Sequence, residues 1–418
     1  MKPEADSPQR RAAAPHRVAL KRSLSLPLLV LYGLGTTVGA GIYALIGEIA
    51  AVAGYLAPVA FLLASVMAGV TALSFAELSA RMPRAAGEAL YVRRAFGSRA
   101  LSTLTGLLVV LAGVVSAAAL LNGFVGYLQQ FVDLERLPAI LMIGLALGAA
   151  AAWGISESVW IASLFTVIEV GGLLWVVAVS SPAIAQFSDW SRMLPAHGAD
   201  LTHISGAALL AFYAFIGFED MVNVAEEVRD VRRNLPLGIV LTLVVTTLLY
   251  IVLMVAALTV VTPEELASSS APLALLYEYA TGRPATAVGL IGMFAIINGA
   301  LIQMVMGARV LYGLSAMAQL PAALSVVSDR TRTPLLATGI VVLAVLTLAS
   351  LGNLAQLAEA TSVTMLIVFA AVNLALWRIK RRRRQPPGLR VLPQWLPLTG
   401  FAICCLTVVL KLVGRLVQ

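Results

Sequence analysis

The sequence predicts an all-α polytopic membrane protein, arranged as two five-helix halves in inverted repeat with discontinuous helices 1 and 6. Three observations carry that prediction. The chain of 418 residues is 60% hydrophobic and 12% charged, with mean hydropathy +0.92, a composition foreign to soluble domains. Its apolar stretches reach bilayer length, roughly 20 residues at helical rise. Two of those stretches, five spans apart, are interrupted at glycine.

Breaks between the apolar runs give about 11 transmembrane helices, at about 26–53, 57–79, 98–131, 138–153, 157–181, 205–226, 236–261, 285–316, 334–351, 354–378 and 396–416. Residues 1–25 form a basic, proline-containing tail without the short apolar core and small-residue cleavage site of a signal peptide. Residues 26–181 form the first five-helix repeat and 205–378 the second, with an outer loop at 182–204 between them. A basic cytosolic loop at 379–395 and an extra helix at 396–418 complete the chain. Its connections include an amphipathic segment at 80–100 and a polar loop at 262–284, where Pro263-Glu264-Glu265 reads as a helix start.

The net charge of +8 raises a nucleic-acid partner, which the charge distribution rejects. The loops and tails at 1–27, 79–100, 226–236, 309–334 and 378–395 hold 24 of the 29 Lys and Arg residues. Such asymmetry marks the cytoplasmic side, so the expectation is a multi-pass protein of the cytoplasmic membrane with its N-terminus cytosolic. The partner of the apolar surface is the lipid bilayer. The basic run before residue 390 reads as an anchor at anionic headgroups. The three histidines fall in a tail and a loop, and Cys404 and Cys405 are adjacent in one span. No metal site, disulfide framework or cofactor is expected.

The first interruption lies in Gly33-Leu34-Gly35-Thr36-Thr37-Val38-Gly39-Ala40-Gly41-Ile42-Tyr43. Each glycine in a helix costs about 1 kcal/mol relative to alanine. Unwound backbone at membrane depth survives only where it is buried in protein or lines a wet cavity. The second lies in Tyr213-Ala214-Phe215-Ile216-Gly217-Phe218-Glu219-Asp220, where two acids follow the glycine. Paired interruptions in corresponding spans of two halves are the mark of an inverted-repeat secondary transporter. An odd number of spans per half gives the halves opposite orientations.

Several motifs resemble the amino acid–polyamine–organocation superfamily of permeases. Leu20-Lys21-Arg22-Ser23-Leu24 with Val38-Gly39-Ala40-Gly41-Ile42-Tyr43 looks like that family's first-helix entry. Ala76-Glu77-Leu78-Ser79-Ala80-Arg81-Met82-Pro83, through Gly87-Glu88-Ala89-Leu90-Tyr91-Val92 and Ala95-Phe96-Gly97, is similar to its second-helix exit. Phe215-Ile216-Gly217-Phe218-Glu219 resembles its sixth helix, followed by Ala225-Glu226-Glu227-Val228 and Leu235-Pro236. Ala308-Arg309-Val310-Leu311-Tyr312 with Leu320-Pro321 resembles its eighth-helix exit. The chain departs from that pattern at Ser315-Ala316-Met317-Ala318-Gln319, where the family often carries an Arg-Asp-Gly-type loop, and it shows eleven helices rather than twelve. The resemblance implies the fold of the bacterial leucine transporter type, alternating access, and a substrate among amino acids or related amines. It implies no enzyme.

On that reading, Val38, Gly39, Ala40, Gly41 and Ile42 and residues Tyr213, Ala214, Phe215, Ile216, Gly217 and Phe218 form the substrate site. Amides opening the outer half of helix 1 suit a carboxylate, and free carbonyls at both breaks suit an ammonium group. The competing reading makes Gly39 and Gly41 close-packing positions only. Phe215 and Phe218 either wall the pocket, gate it, or pack as ordinary apolar side chains.

Glu169, mid-span in helix 5, is an ionisable residue at a depth where such groups mark function. Proton-coupled relatives of the resembled family often place a lysine near this position, so a glutamate reverses the charge. Glu169 is read as a proton carrier, a sodium ligand or a neutral structural group, and the coupling ion accordingly as H+ with Na+ as alternative. Glu48, Glu219 and Asn298 are accessory candidates, beside Asp220 and Gln303. Glu77, Glu226, Glu227 and Arg309 are read as a cytoplasmic gating network or as surface anchors. The function expected is a secondary active amino acid transporter of the proton-symport type. The alternatives are an amino acid/polyamine exchanger, a sodium-coupled carrier, or a sensor that binds amino acids without moving them.

Overall fold

A computed structural model describes residues 24–82, 87–153, 159–198, 200–382 and 391–417. The basic tail through residue 23, residues 83–86 of the 80–100 segment and residues 383–390 of the basic loop lie outside these. Fifteen α-helices run in order: α1 (Leu26–Val38), α2 (Ala40–Ala53), α3 (Ala57–Arg81), α4 (Gly87–Phe96), α5 (Arg99–Leu128), α6 (Arg136–Trp153), α7 (Val159–Gln186) and α8 (Asp200–Tyr213), then α9 (Val231–Val260), α10 (Pro263–Ser268), α11 (Pro272–Thr281), α12 (Thr286–Ala316), α13 (Leu335–Leu351), α14 (Leu354–Arg382) and α15 (Trp395–Val417). The described residues contain no β-strand, only an isolated parallel bridge between Leu24 and Val228.

Among the described residues, nine helical runs are long and apolar enough to cross a bilayer, and α1 and α13 are shorter apolar helices. One of the nine, Gly41–Arg81, turns back at Gly54 (φ 56°) and so holds α2 and α3. Joining α1 to α2, and α8 to the 3₁₀ segment Phe218–Glu227, gives the eleven crossings expected. Large apolar side chains on the outside, such as Leu62, Val66, Leu248 and Leu343, are half or more exposed, as a lipid-facing surface requires.

α5 is a central post against α12 and α14, α3 packs on α9 and α8, and α15 rests on α14 and α3. Ser98 caps α5, its Oγ accepting from the Leu101 N–H at 3.2 Å. The α15 contact is polar at its centre. Asn373 accepts from Ser74 Oγ at 2.6 Å and donates to Thr71 Oγ1 at 3.0 Å, and Thr71 meets Cys404 Sγ at 3.8 Å.

Two elements differ from the sequence expectation. α9 begins at Val231, and Pro236 sits in its second turn rather than at its start. The 262–284 connection folds into α10 and α11. Thr262 and Glu265 form a reciprocal capping box at the start of α10. Leu266, Leu273 and Leu276 are fully buried, and a Cβ on Gly47 would lie 2.5 Å from the Leu266 carbonyl oxygen. The loop is therefore seated directly on the outer half of helix 1.

Candidate functional site at two helix breaks

Helix 1 breaks at one residue. Gly39 (φ −51°, ψ −104°) closes α1 and opens α2 at Ala40, within the glycine-rich stretch 33–43 where the sequence places the interruption. Helix 6 breaks over residues 214–217 after α8 ends at Tyr213, and resumes as 3₁₀ turns from Phe218. Gly217 takes φ 126°, open to glycine and strained for other residues. Its amide donates to Glu219 Oε2 at 2.9 Å, which gives Glu219 a capping role at the break.

The two breaks touch. A Cβ on Gly217 would stand 2.1 Å from the Thr36 carbonyl oxygen, and one on Gly41 would stand 2.8 Å from Ala214 Cα. The Tyr250 hydroxyl of α9 donates to the carbonyls of Thr37 and Ala214, both at 2.9 Å, a single phenol hydrogen shared between chain segments that helix geometry has left unpaired. Below, the inner ends are also joined. The Leu24 N–H donates to the Glu227 carbonyl at 3.0 Å, and the Arg229 N–H to the Leu24 carbonyl at 2.9 Å.

A cavity of about 40 Å³ lies at this junction, lined by Thr36, Thr37, Gly41, Tyr213, Ile216 and Asp220 and by Ser116, Gly299 and Gln303 from α5 and α12. That volume holds a few waters. Tyr213 is fixed by its hydroxyl contact with Ser116 Oγ at 2.8 Å. A second cavity of about 30 Å³ shares Ser116, Ile216, Asp220 and Gln303, and adds Glu88 and Glu219. Three carboxylates thus face the inward side, with no Lys or Arg among the described lining residues of either cavity.

Of the expected substrate residues, Gly41, Tyr213 and Ile216 line the central cavity. Val38, Gly39, Ala214 and Gly217 build the backbone junction behind it, and Ile42 is fully buried. Phe215 and Phe218 do not line either cavity. Phe215 packs edge-on to Phe61 and Tyr250, with centroids 6.5 and 5.3 Å away, and Phe218 packs on Phe75 and Phe369 at 5.7 and 5.4 Å. Glu48 is half-buried on α2, and neither it nor Asn298 lines the cavities. The expectation had not placed Ser116 in the pocket, although a hydroxyl inside the apolar run of α5 was the available signal.

Glu169 on α7 is buried. Its Oε2 would lie 3.6 Å from a Cβ on Gly39, and the α12 carbonyl of Ala295 3.9 Å from the same point. The carboxylate therefore adjoins the break where helices 1, 5 and 8 meet. The Tyr43 hydroxyl donates to the Glu169 carbonyl at 2.7 Å, and the Tyr127 hydroxyl to the Tyr43 carbonyl at 2.9 Å, which ties α7, α2 and α5 together there.

At the C-terminal end of α3, Glu77 forms a buried ion cluster. Arg81 Nη2 reaches its Oε1 at 2.7 Å, and Lys380 Nζ its Oε2 at 2.8 Å. The Leu392 N–H donates to Oε2 at 3.1 Å, and Lys380 also donates to the Leu392 carbonyl. Arg309 stands apart from this cluster, exposed to solvent.

A family model described as "Amino acid permease" matches residues 24–414. The chain is similar to the branched-chain amino acid permease BcaP of Bacillus subtilis, 27% identical over 96% of this chain and 90% of the relative. It is 30% identical to the vacuolar cationic amino acid transporter 2 of Arabidopsis thaliana, over 90% of this chain and 62% of that one. An uncharacterized transporter of Mycobacterium tuberculosis is 30% identical over 92% of this chain and 85% of its own length.

Proposed function

This chain belongs to the amino acid permease family, and from that premise we propose that it is a proton-coupled amino acid symporter working by alternating access. The observation that carries the reading is the contact between the two helix breaks. Gly217 against Thr36 and Gly41 against Ala214 make one polar junction beside a cavity. The α2 N-terminus supplies a positive dipole end for a substrate carboxylate, and the carbonyls at the α1 and α8 ends supply acceptors for its ammonium group. The cavity has room for a few waters, and in this reading the broken helices part to admit substrate.

Glu169 supplies the coupling in this reading. Its carboxylate adjoins the same half-helix N-terminus that receives the substrate. Charged, it competes with the substrate carboxylate for that dipole; protonated, it releases the dipole to the substrate. Proton and substrate then bind together and leave together. In proteoliposomes with an imposed pH gradient, Glu169→Gln is expected to abolish accumulation while leaving exchange of labelled substrate intact. Undiminished pH-driven accumulation would rule out this role, and dependence on a sodium gradient instead would favour the sodium carrier.

A cationic amino acid is the second reading of the substrate, favoured by Asp220 in the central cavity and by Glu88 and Glu219 just inward of it. The relatives named above point both ways, one named for branched-chain and one for cationic amino acids. Competition of labelled leucine uptake by excess lysine or arginine separates the two. A sensor would bind either without counterflow.

A further inference from the structure

Outside the proposed transport path, a cavity of about 670 Å³ opens at the C-terminal end of α12, between α12, α13 and the end of α6. Its walls are divided. Ala308, Val305 and Pro334 are apolar, while Arg309, Arg332 and the Thr331 and Thr333 hydroxyls line the remainder. No carboxylate lines it among the described residues, and neither guanidinium has an ion pair or hydrogen bond there.

The loop that carries Arg332 is a fixed frame. The Ser328 N–H donates to the Thr333 carbonyl at 3.0 Å, and the Arg332 N–H returns to the Ser328 carbonyl at 2.9 Å. Thr331 and Thr333 share a hydroxyl contact at 2.7 Å, and Thr333 Oγ1 donates to the Ala152 carbonyl of α6 at 2.7 Å. Within that frame Arg332 is held at φ 58°, a conformation few non-glycine residues adopt and one that clusters at ligand clamps. Two unpaired planar guanidinium forks beside an apolar wall match a phosphate group attached to an apolar body.

We propose that this cavity binds a phosphate monoanion or diester at the cytoplasmic face, either as the headgroup of an anionic phospholipid or as a free phosphate. It bridges helices that face α5, so an occupant would tie the α12–α13 seam to the end of α6. The inference is independent of the transported substrate and of the coupling ion.

The test uses the full-length protein in detergent micelles supplemented with phosphatidylglycerol, phosphatidylcholine or inorganic phosphate. Native mass spectrometry reads retained lipid, and thermal unfolding reads phosphate binding. For a lipid site, phosphatidylglycerol is retained in preference to phosphatidylcholine. The double variant R309Q/R332Q then lowers retention about tenfold, the loss expected for hydrogen bonds to a charged group. For a free-anion site, inorganic phosphate raises the melting temperature of the wild type and not of the double variant. R330Q removes a charge from the same loop but not from the cavity lining, and should behave as wild type. The proposal is overturned if neither phosphatidylglycerol nor phosphate acts on the wild type, or if R330Q loses as much as the double variant.

Discussion

Gly217 joins two requirements that no other side chain meets. Its φ of 126° is costly for an L-residue, and the missing Cβ leaves room for the Thr36 carbonyl, 2.1 Å from where that atom would be. Gly217→Ala should therefore lower stability by about 2–4 kcal/mol, from backbone strain and overpacking together, read as a fall in melting temperature in micelles. Gly97, at φ 72° with open space around it, is the comparison. Gly97→Ala carries the strain alone and should cost about 1 kcal/mol. A second residue-scale expectation concerns Glu88, in the connection between helices 2 and 3. Burial pushes its carboxyl up to about 7 against a hydrogen bond from its own backbone that lowers it, and the Asp220 charge raises it further. A raised acid contributes its full stability below its ordinary value of 4.5 and loses it as pH climbs through about 7. The wild type should melt lower at pH 8 than at pH 5 by this share, and Glu88→Gln should flatten that difference. An unchanged pH profile in the variant would refute the assignment.

Among the elements, the positions of the breaks were legible in sequence, because glycine clusters in an apolar span have few other uses. Their geometry was not. The Thr37 carbonyl beside the helix 1 break is taken up by the Tyr250 hydroxyl, which also takes the Ala214 carbonyl of helix 6, and that partner lies about two hundred residues from Thr37 in the chain. The aromatic pair Phe215 and Phe218 shows the same limit. Next to a break they suggested a pocket wall, yet α3, α9 and α14 supply rings that draw them away from it. Ser116 entered the pocket unannounced because α5 is apolar nearly all round, which leaves no sequence face to read, whereas Gln303, an accessory candidate from the sequence, does line it. The Glu77 cluster was visible only as charges near one membrane side. In the structure its side chain is 1% exposed between Arg81 and Lys380. Glu77→Gln leaves two buried cations without compensation and should cost about 3–5 kcal/mol, measured by chemical or thermal unfolding. A loss below about 1 kcal/mol would mean that the pairs behave as surface pairs.

For the whole molecule, closure is the dominant feature. The outer loop lies on α2 through Leu266, the central cavity holds only a few waters, and Leu24 is bridged to Val228 between the inner ends of helices 1 and 6. The proposed alternating access would require that last bridge to open. A disulfide between Leu24→Cys and Val228→Cys should therefore arrest uptake under oxidation and restore it on reduction, in a reconstituted transport assay. Continued turnover in the oxidised protein would show that these ends stay together throughout the cycle. The sequence by itself determined the membrane class, the number of crossings and the two interrupted spans, since hydropathy, charge asymmetry and glycine placement are local properties of the chain. Only the tertiary structure decided which side chains meet. The Thr36–Gly217 contact, the placement of Glu169 beside Gly39 and the burial of Glu77 each join residues from different helices, and apolar helices carry no marking of which face turns inward.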